Sequence, residues 1–381
     1  MKGENGTVGQ KSRQHYVPKF YLRNFSETDK SISTFNITNS KYIQNASIKD
    51  MCQKNNFYGD DKVVEEFLDK EIERKASAII RRIIETKSIP NIDKEFEYYE
   101  HLIAFLLVSE ARNLRSADSA DNMADFLAKE MMKEHPGMKD IDLDEFKIKI
   151  KQAANQNIGI ALESIPLVLD LKPVLINQKT PRSFITSDNP LIRYNSFYIG
   201  RKYHGRGFGY VTRGLQLFCP ISPTQCLLLY DGLVYDIPNI KDDVITINRA
   251  REVDSLNELF YLNAYNNVFF NQKIKEDYIK KFTFKNRGTS KISDLKREVG
   301  SFKSMEEDGQ LISVTQNRVT KKISLPWITQ SEFGKGLILP QHMGGLKRME
   351  SPFIEEYIEK DSEKFDKHPP KIKSGSYFRE K

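Results

Sequence analysis

The segment 102–108, Leu-Ile-Ala-Phe-Leu-Leu-Val, constrains this chain most. It lies in a stretch that Asp93 can cap and that reads as helix from about residue 94 to residue 115, and it is apolar nearly all the way round. A helix with no polar face must be surrounded by neighbours. The spacing therefore predicts a helical unit built about this element. A helix capped by Asp60 or Asp61 is expected over about 62–86, where Val64, Phe67, Leu68, Ile72, Ala76, Ile79, Ile80 and Ile83 recur at helical spacing. A third is expected over 120–134, stopping at Pro136-Gly137, and a fourth from Asp142 or Asp144 toward Leu167 with a break at Pro166.

The texture changes at Pro173. Short β-like runs at 174–176, 183–186, 216–219, 225–230 and 244–247 are punctuated by Pro and Gly, and helix returns over 253–267. Ahead of the helices, 31–37 and 41–46 read as a hairpin about Thr38-Asn39-Ser40. The expected class is α+β: an N-terminal β-hairpin and helical unit, then a small mostly antiparallel sheet, a basic segment and an extended tail. The expected divisions are a flexible leader at 1–13, a main domain over 14–270 (hairpin and helices at 14–168, sheet and closing helix at 173–270), the basic segment at 271–303 and a loosely attached tail at 304–381. Within that tail only 353–365 reads as helix.

Charge sharpens this division. The chain carries 59 Lys plus Arg against 52 Asp plus Glu, a net charge of +7, and residues 271–303 hold ten cations against four anions, nearly the whole surplus. There Lys280, Lys281, Lys285 and Arg287 are interleaved with Tyr278, Phe282 and Phe284, a pattern that can track a phosphate backbone while rings stack on bases. A solvated helix followed by a basic loop fits the same residues. Cys52, Cys219 and Cys226 form no CxxC pair, which suits buried thiols in a reducing compartment. The six histidines show no local metal-ligand spacing, so a metal site would have to be assembled from distant residues. With no run of about 18 uncharged apolar residues and no charged-then-apolar leader, the chain is expected in the cytoplasm with no membrane span.

Residues 14–25 read Gln-His-Tyr-Val-Pro-Lys-Phe-Tyr-Leu-Arg-Asn-Phe. Pro18 forces Val17 to be extended and suits the first position of a helix, so His15 precedes a short helix bearing Lys19 and Arg23 one turn apart. An imidazole that moves protons near neutral pH beside two cations fits phosphate chemistry. Equally, Tyr16, Phe20, Tyr21 and Phe25 can pin the N-terminus to the core. On the helix after Asp93, Glu110 falls among Ile103, Leu107 and Leu114, where an unpaired carboxylate would cost several kcal/mol and so requires a partner. Glu71 and Lys75 sit at the edge of the apolar face of the preceding helix as a packed salt bridge. In 182–190, Pro190 holds Asn189 extended, and Asp188 either caps the turn or presents a carboxylate at a strand end. The glycines and cations of 200–210 would suit a phosphate, but the P-loop and dinucleotide spacings are missing.

The opening Gln14-His15-Tyr16-Val17-Pro18 through Phe25, then Asn56-Phe57-Tyr58, Thr186-Ser187-Asp188-Asn189-Pro190 and Pro220-Ile221-Ser222-Pro223, together resemble the largely bacterial domain-of-unknown-function family 4238 over roughly 14–267. The resemblance implies that His15, Arg23 and Asp188 belong to one recurring constellation, and it names no activity. Members often carry Gln and then Arg-Thr-Pro near the end of the central helix, where this chain has Glu110-Ala111-Arg112-Asn113-Leu114.

The leading expectation is a nucleic-acid phosphodiesterase in a bacterial defence or stress system. His15 would be the general acid or base and Arg23 with Lys19 would hold the phosphate. Asp188 and Glu110 would orient His15 or bind a divalent cation, and Tyr16, Asn24, Arg112 and Asn189 would complete the substrate contacts. Two alternatives compete: a non-catalytic module binding nucleic acid or an acidic partner through Lys280, Lys281, Lys285 and Arg287, and a small-molecule hydrolase with its pocket between helices and sheet. Whether His15, Arg23, Glu110 and Asp188 meet in one open cleft separates these readings.

Overall fold

The computed structural model describes residues 13–367 apart from 61, 134, 139–140, 202–206, 291, 304–307 and 340–344. Positions 1–12 of the expected leader, 368–381 of the expected tail and 202–206 of the glycine-rich segment therefore lie outside the described residues.

The hairpin forms as Ser31–Asn36 and Lys41–Ser47. Two strands alone are marginal in water, and here Asn267–Phe270 adds to the first of them, with Thr186–Ser187 beyond, giving a four-stranded antiparallel sheet. Main-chain pairing thus ties the hairpin near the start of the resemblance region to the strand at its end.

The helical unit is present with shifted bounds. The helix expected over 62–86 is Val63–Phe67, a wide π-type turn at Leu68–Glu73, and Arg74–Thr86. The central helix, Phe96–Ala111, is buried at every position from 102 to 110, as its all-round apolar character requires. The next helix is Leu114–Lys133, starting earlier than expected because the Asn113 side chain accepts from Ser116 N at 2.9 Å and serves as its cap. The fourth shrinks to Ala153–Glu163. Ahead of it, the amides of Ile148 and Ile150 donate to the carboxylates of Asp125 and Asp121 at 2.8 and 3.0 Å, so this stretch satisfies its main chain on side chains instead of on itself.

The larger sheet runs in the order Val244–Ile247, Lys172–Gln178, Gln225–Tyr230, Gln216–Ser222, Ile192–Tyr194, antiparallel except for its first pair. Alternate residues face opposite ways: Leu175, Leu217, Leu227 and Leu229 join the helical core, while Val174, Ile176, Phe218 and Leu228 join a second core with Val253, Leu256 and Phe260 of Ala250–Leu262. A sheet covered on both faces explains why its strands read as nearly continuous apolar runs. The fold is α+β, and among the described residues no helix is long and apolar enough to cross a membrane.

The basic segment and the tail depart from expectation. Helix Glu276–Lys285 buries Ile279 and Phe282 in the second core, and Leu295–Lys303 pairs with Asp308–Gln316 as a hairpin. The described part of the tail is not loosely attached. Arg348 is 2% exposed, bonds the Asp170 carboxylate at 2.6 and 3.0 Å, and donates to the carbonyls of Thr212 and Leu167 at 2.8 and 2.7 Å. Val319, Ile323 and Leu325 of the tail enter the second core, but the joint at Arg348 is polar, so hydrophobic periodicity carried no sign of it.

Candidate functional site

Residues 110–115 leave the central helix and enter the next one, and the stretches that stand out in the sequence meet them there. Arg112 is buried and donates from Nη2 to the main-chain carbonyl of His15 at 2.6 Å, from Nε to the Tyr58 hydroxyl at 2.9 Å and from Nη1 to Glu73 at 2.7 Å. The Tyr58 hydroxyl also donates to the His15 carbonyl, and the Gln14 side chain accepts from Tyr58 N at 2.7 Å. Next to Arg112, Asn113 donates to the Asn189 side-chain oxygen at 2.6 Å. Asn189 and Asn263 then exchange side-chain donors for main-chain carbonyls, both at 2.9 Å. The Tyr21 hydroxyl lies 2.6 Å from the Thr186 hydroxyl and donates to the Pro220 carbonyl at 2.6 Å. These bonds knit the chain's four marked stretches together. Arg112 and Asn189, expected to touch substrate, are instead fully engaged within the protein.

Asp188 is buried, and its carboxylate accepts from the amides of Tyr265, Asn266 and Asn267 at 2.9, 2.8 and 2.9 Å. It caps the turn into Asn267–Phe270. Burial pushes its pKa up to about 6, against the pull of those donors. His15 is half-buried, with Nε2 3.0 Å from the Lys49 carbonyl; burial lowers its pKa, that bond raises it in part, and Lys19 lowers it further.

Glu110 finds the partners that its position demands. Arg193 Nε lies 2.7 Å from its carboxylate, the Tyr210 hydroxyl donates at 2.9 Å, and Arg318 Nη1 bonds the other oxygen. Burial alone would raise its pKa, but Arg193 and Arg318 hold it at about 2. The guanidinium of Arg193 lies 3.6 Å from the centroid of the Tyr210 ring.

Lys19 and Arg23 are exposed on Lys19–Arg23, and neither takes part in an ion pair with another described residue. Asn24 follows as the helix C-cap, with its buried Nδ2 unpartnered among the described residues. Tyr16 and Cys52, with Thr34, Asn36 and Asn267, line a cavity of about 300 Å³. Among the described residues no hydrogen bond or ion pair joins His15, Arg23, Glu110 and Asp188 to one another. Nor do three His, Cys, Asp or Glu side chains gather at one point among them. Of the basic residues, Lys280 pairs with Glu276 at 2.8 Å, Lys285 with Glu258, and Arg287 lies over Phe284 at 4.8 Å, while Lys281 faces solvent.

Residues 13–274 match the family described as Protein of unknown function (DUF4238). The chain belongs to that family. No curated protein and no solved structure matches it. Arg318 and Arg348 lie beyond the DUF4238 match yet reach back to Glu110 and to Asp170, inside it. These two residues, with Arg193, Arg115 and Glu73, were invisible as site residues in the sequence. Arg193 sits between Ile192 and Tyr194 in a strand of only three residues, too short for alternation to reveal. Arg318 carries no local signal at all.

Proposed function

We propose that this DUF4238 chain is a non-catalytic module that binds single-stranded nucleic acid in the cytoplasm through the outer side of helix Glu276–Lys285. One observation carries the reading: Phe284 is 70% exposed, with the Arg287 guanidinium over its ring and the solvent-facing Lys281 one turn away. A ring bracketed by cations can stack a base while the cations meet neighbouring phosphates. The competing phosphodiesterase reading needs His15, Glu110 and Asp188 free to act together, and each has its partners elsewhere.

Fluorescence anisotropy with labelled single-stranded RNA and DNA across a salt series tests this. Binding is expected to weaken linearly in log salt, the slope shrinking by roughly 0.7 for each phosphate that Lys280→Glu or Lys281→Glu no longer neutralises. Phe284→Ala should cost about 1–3 kcal/mol of binding. Absence of binding at low salt defeats the proposal. Oligonucleotide cleavage with Mg²⁺ or Mn²⁺ that disappears in His15→Ala would return the phosphodiesterase reading, in a defence or stress role, to first place.

A further inference from the structure

Glu110 is one carboxylate among three arginines. Arg193 and Arg318 bond it directly, and Arg115 is within electrostatic reach of all three. Arg115 is 1% exposed and donates from Nε to the Ile292 carbonyl at 3.2 Å and from Nη2 to the Asn317 carbonyl at 2.7 Å. Its Nη1 is buried and has no partner among the described residues. Buried charges are ordinarily matched, because an unmatched one bears the full cost of lost hydration. Three guanidiniums less one carboxylate leave a surplus of two positive charges. The strain is visible on Arg115, whose pKa is pulled down to about 9 by burial and by Arg318 and Arg193, with Glu110 opposing. Burial and Arg193 likewise lower Arg318. Among the described residues Tyr210 and Tyr265 also act on these arginines, and neither supplies a negative charge at neutral pH; the Asp118 carboxylate is taken up by the Tyr265 hydroxyl at 2.8 Å.

The cluster is not sealed. The side chains of Arg193 and Arg318 keep 17% and 12% of their exposure, while Arg115 lies deeper. We infer that Arg115, Arg193 and Arg318 form a binding site for a phosphate group, either free inorganic phosphate or a phosphate monoester. A phosphate at pH 7 carries about 1.5 to 2 negative charges and presents several acceptor oxygens, which suits both the positive surplus and the forked donors. This inference does not rest on the lysine-bearing helix, which belongs to a different element and reads a polymer.

Calorimetric titration of the full chain with inorganic phosphate, against chloride at matched ionic strength, decides the matter on wild type alone. Saturable binding and a rise in melting temperature specific to phosphate are expected. Adenosine monophosphate in place of phosphate tells the two sources apart: binding of both assigns a monoester site, and binding of phosphate alone assigns a free-ion site. Arg318→Met should weaken binding at least tenfold. Glu110→Gln, which removes the competing carboxylate, should tighten it. No heat and no thermal shift at about 10 mM phosphate, a shift that chloride reproduces, or equal affinity in folded Arg318→Met and Glu110→Gln would each overturn the inference.

Discussion

Arg112 donates to the main-chain carbonyl of His15, 97 positions away, at 2.6 Å, so the central helix grips the backbone of the opening motif while leaving its imidazole to Lys49. The side chain and the main chain of His15 therefore carry different weights. Replacing Arg112 by Met leaves the His15 carbonyl and the Tyr58 hydroxyl only their bond to each other and takes the guanidinium from Glu73, and should cost about 3 kcal/mol in urea unfolding. His15→Ala keeps the carbonyl and should cost about 1 kcal/mol or less. Equal losses in the two variants would show that the side chain, not the backbone, anchors the motif.

Glu110 should make the fold sensitive to acid. Its pKa is about 2 in the folded chain and about 4.3 when unfolded, so its contribution is complete above pH 4.3 and is lost as pH falls through 2. Two pKa units correspond to about 3 kcal/mol. Glu110→Gln should be less stable than wild type by that order at pH 7, and the gap should close between pH 5 and pH 2. A gap independent of pH would mean that the arginines do not set the carboxylate's charge.

Asp188 has the opposite sign. Its folded value of about 6 exceeds an unfolded value of about 3.9, so its favourable contribution is present below pH 3.9 and is lost as pH rises through 6. Unfolding measured from pH 4 to pH 7 in wild type and in Asp188→Asn, which does not titrate, should show wild type losing about 2 kcal/mol relative to the variant. A constant difference would place the carboxyl in its ordinary range, with the amides of Tyr265, Asn266 and Asn267 outweighing burial.

What could be read beforehand follows the range of the forces involved. The apolar stripe of Arg74–Thr86 and the all-apolar turns of Phe96–Ala111 are local patterns, and they marked helices that burial confirms. Glu110 was marked as needing a partner for the same reason: its helical phase is local information, and the cost of a bare buried charge is general. Which partner it takes is not local. Arg193 arrives from a sheet edge and Arg318 from 208 positions along the chain, brought there by tertiary contacts that no spacing announces. Asp188 was open to two readings, turn cap or free carboxylate, and only the position of the 265–267 turn chooses between them. The attachment of the C-terminal region was silent for a like reason: the bonds of Arg348 to carbonyls leave no hydrophobic rhythm, and Val319, Ile323 and Leu325 enter the second core outside any helix or strand whose period could announce them.

Arg348 gives the sharpest test of that attachment. Its fork holds Asp170 with both oxygens and reaches two further carbonyls, while its own amide donates to Val211 at 3.0 Å and Arg213 N donates to Leu346 O at 2.7 Å. The side chain is thus the buried peg of a small polar joint between the end of the chain and the segments near 167–170 and 211–213. In Arg348→Met the two carbonyls and a largely buried carboxylate lose their donors together, which should cost about 3–5 kcal/mol. The joint would then rest on its main-chain bonds, on Arg213 with Lys347 O and Glu350, and on Leu346 N with the Tyr198 hydroxyl, so local opening should precede global unfolding. Trypsin should cut at the exposed Lys347 in the variant under conditions that leave wild type intact there. Equal cutting in both proteins would mean that this region is held as loosely as its mixed composition suggests, and that the buried guanidinium contributes little to holding it.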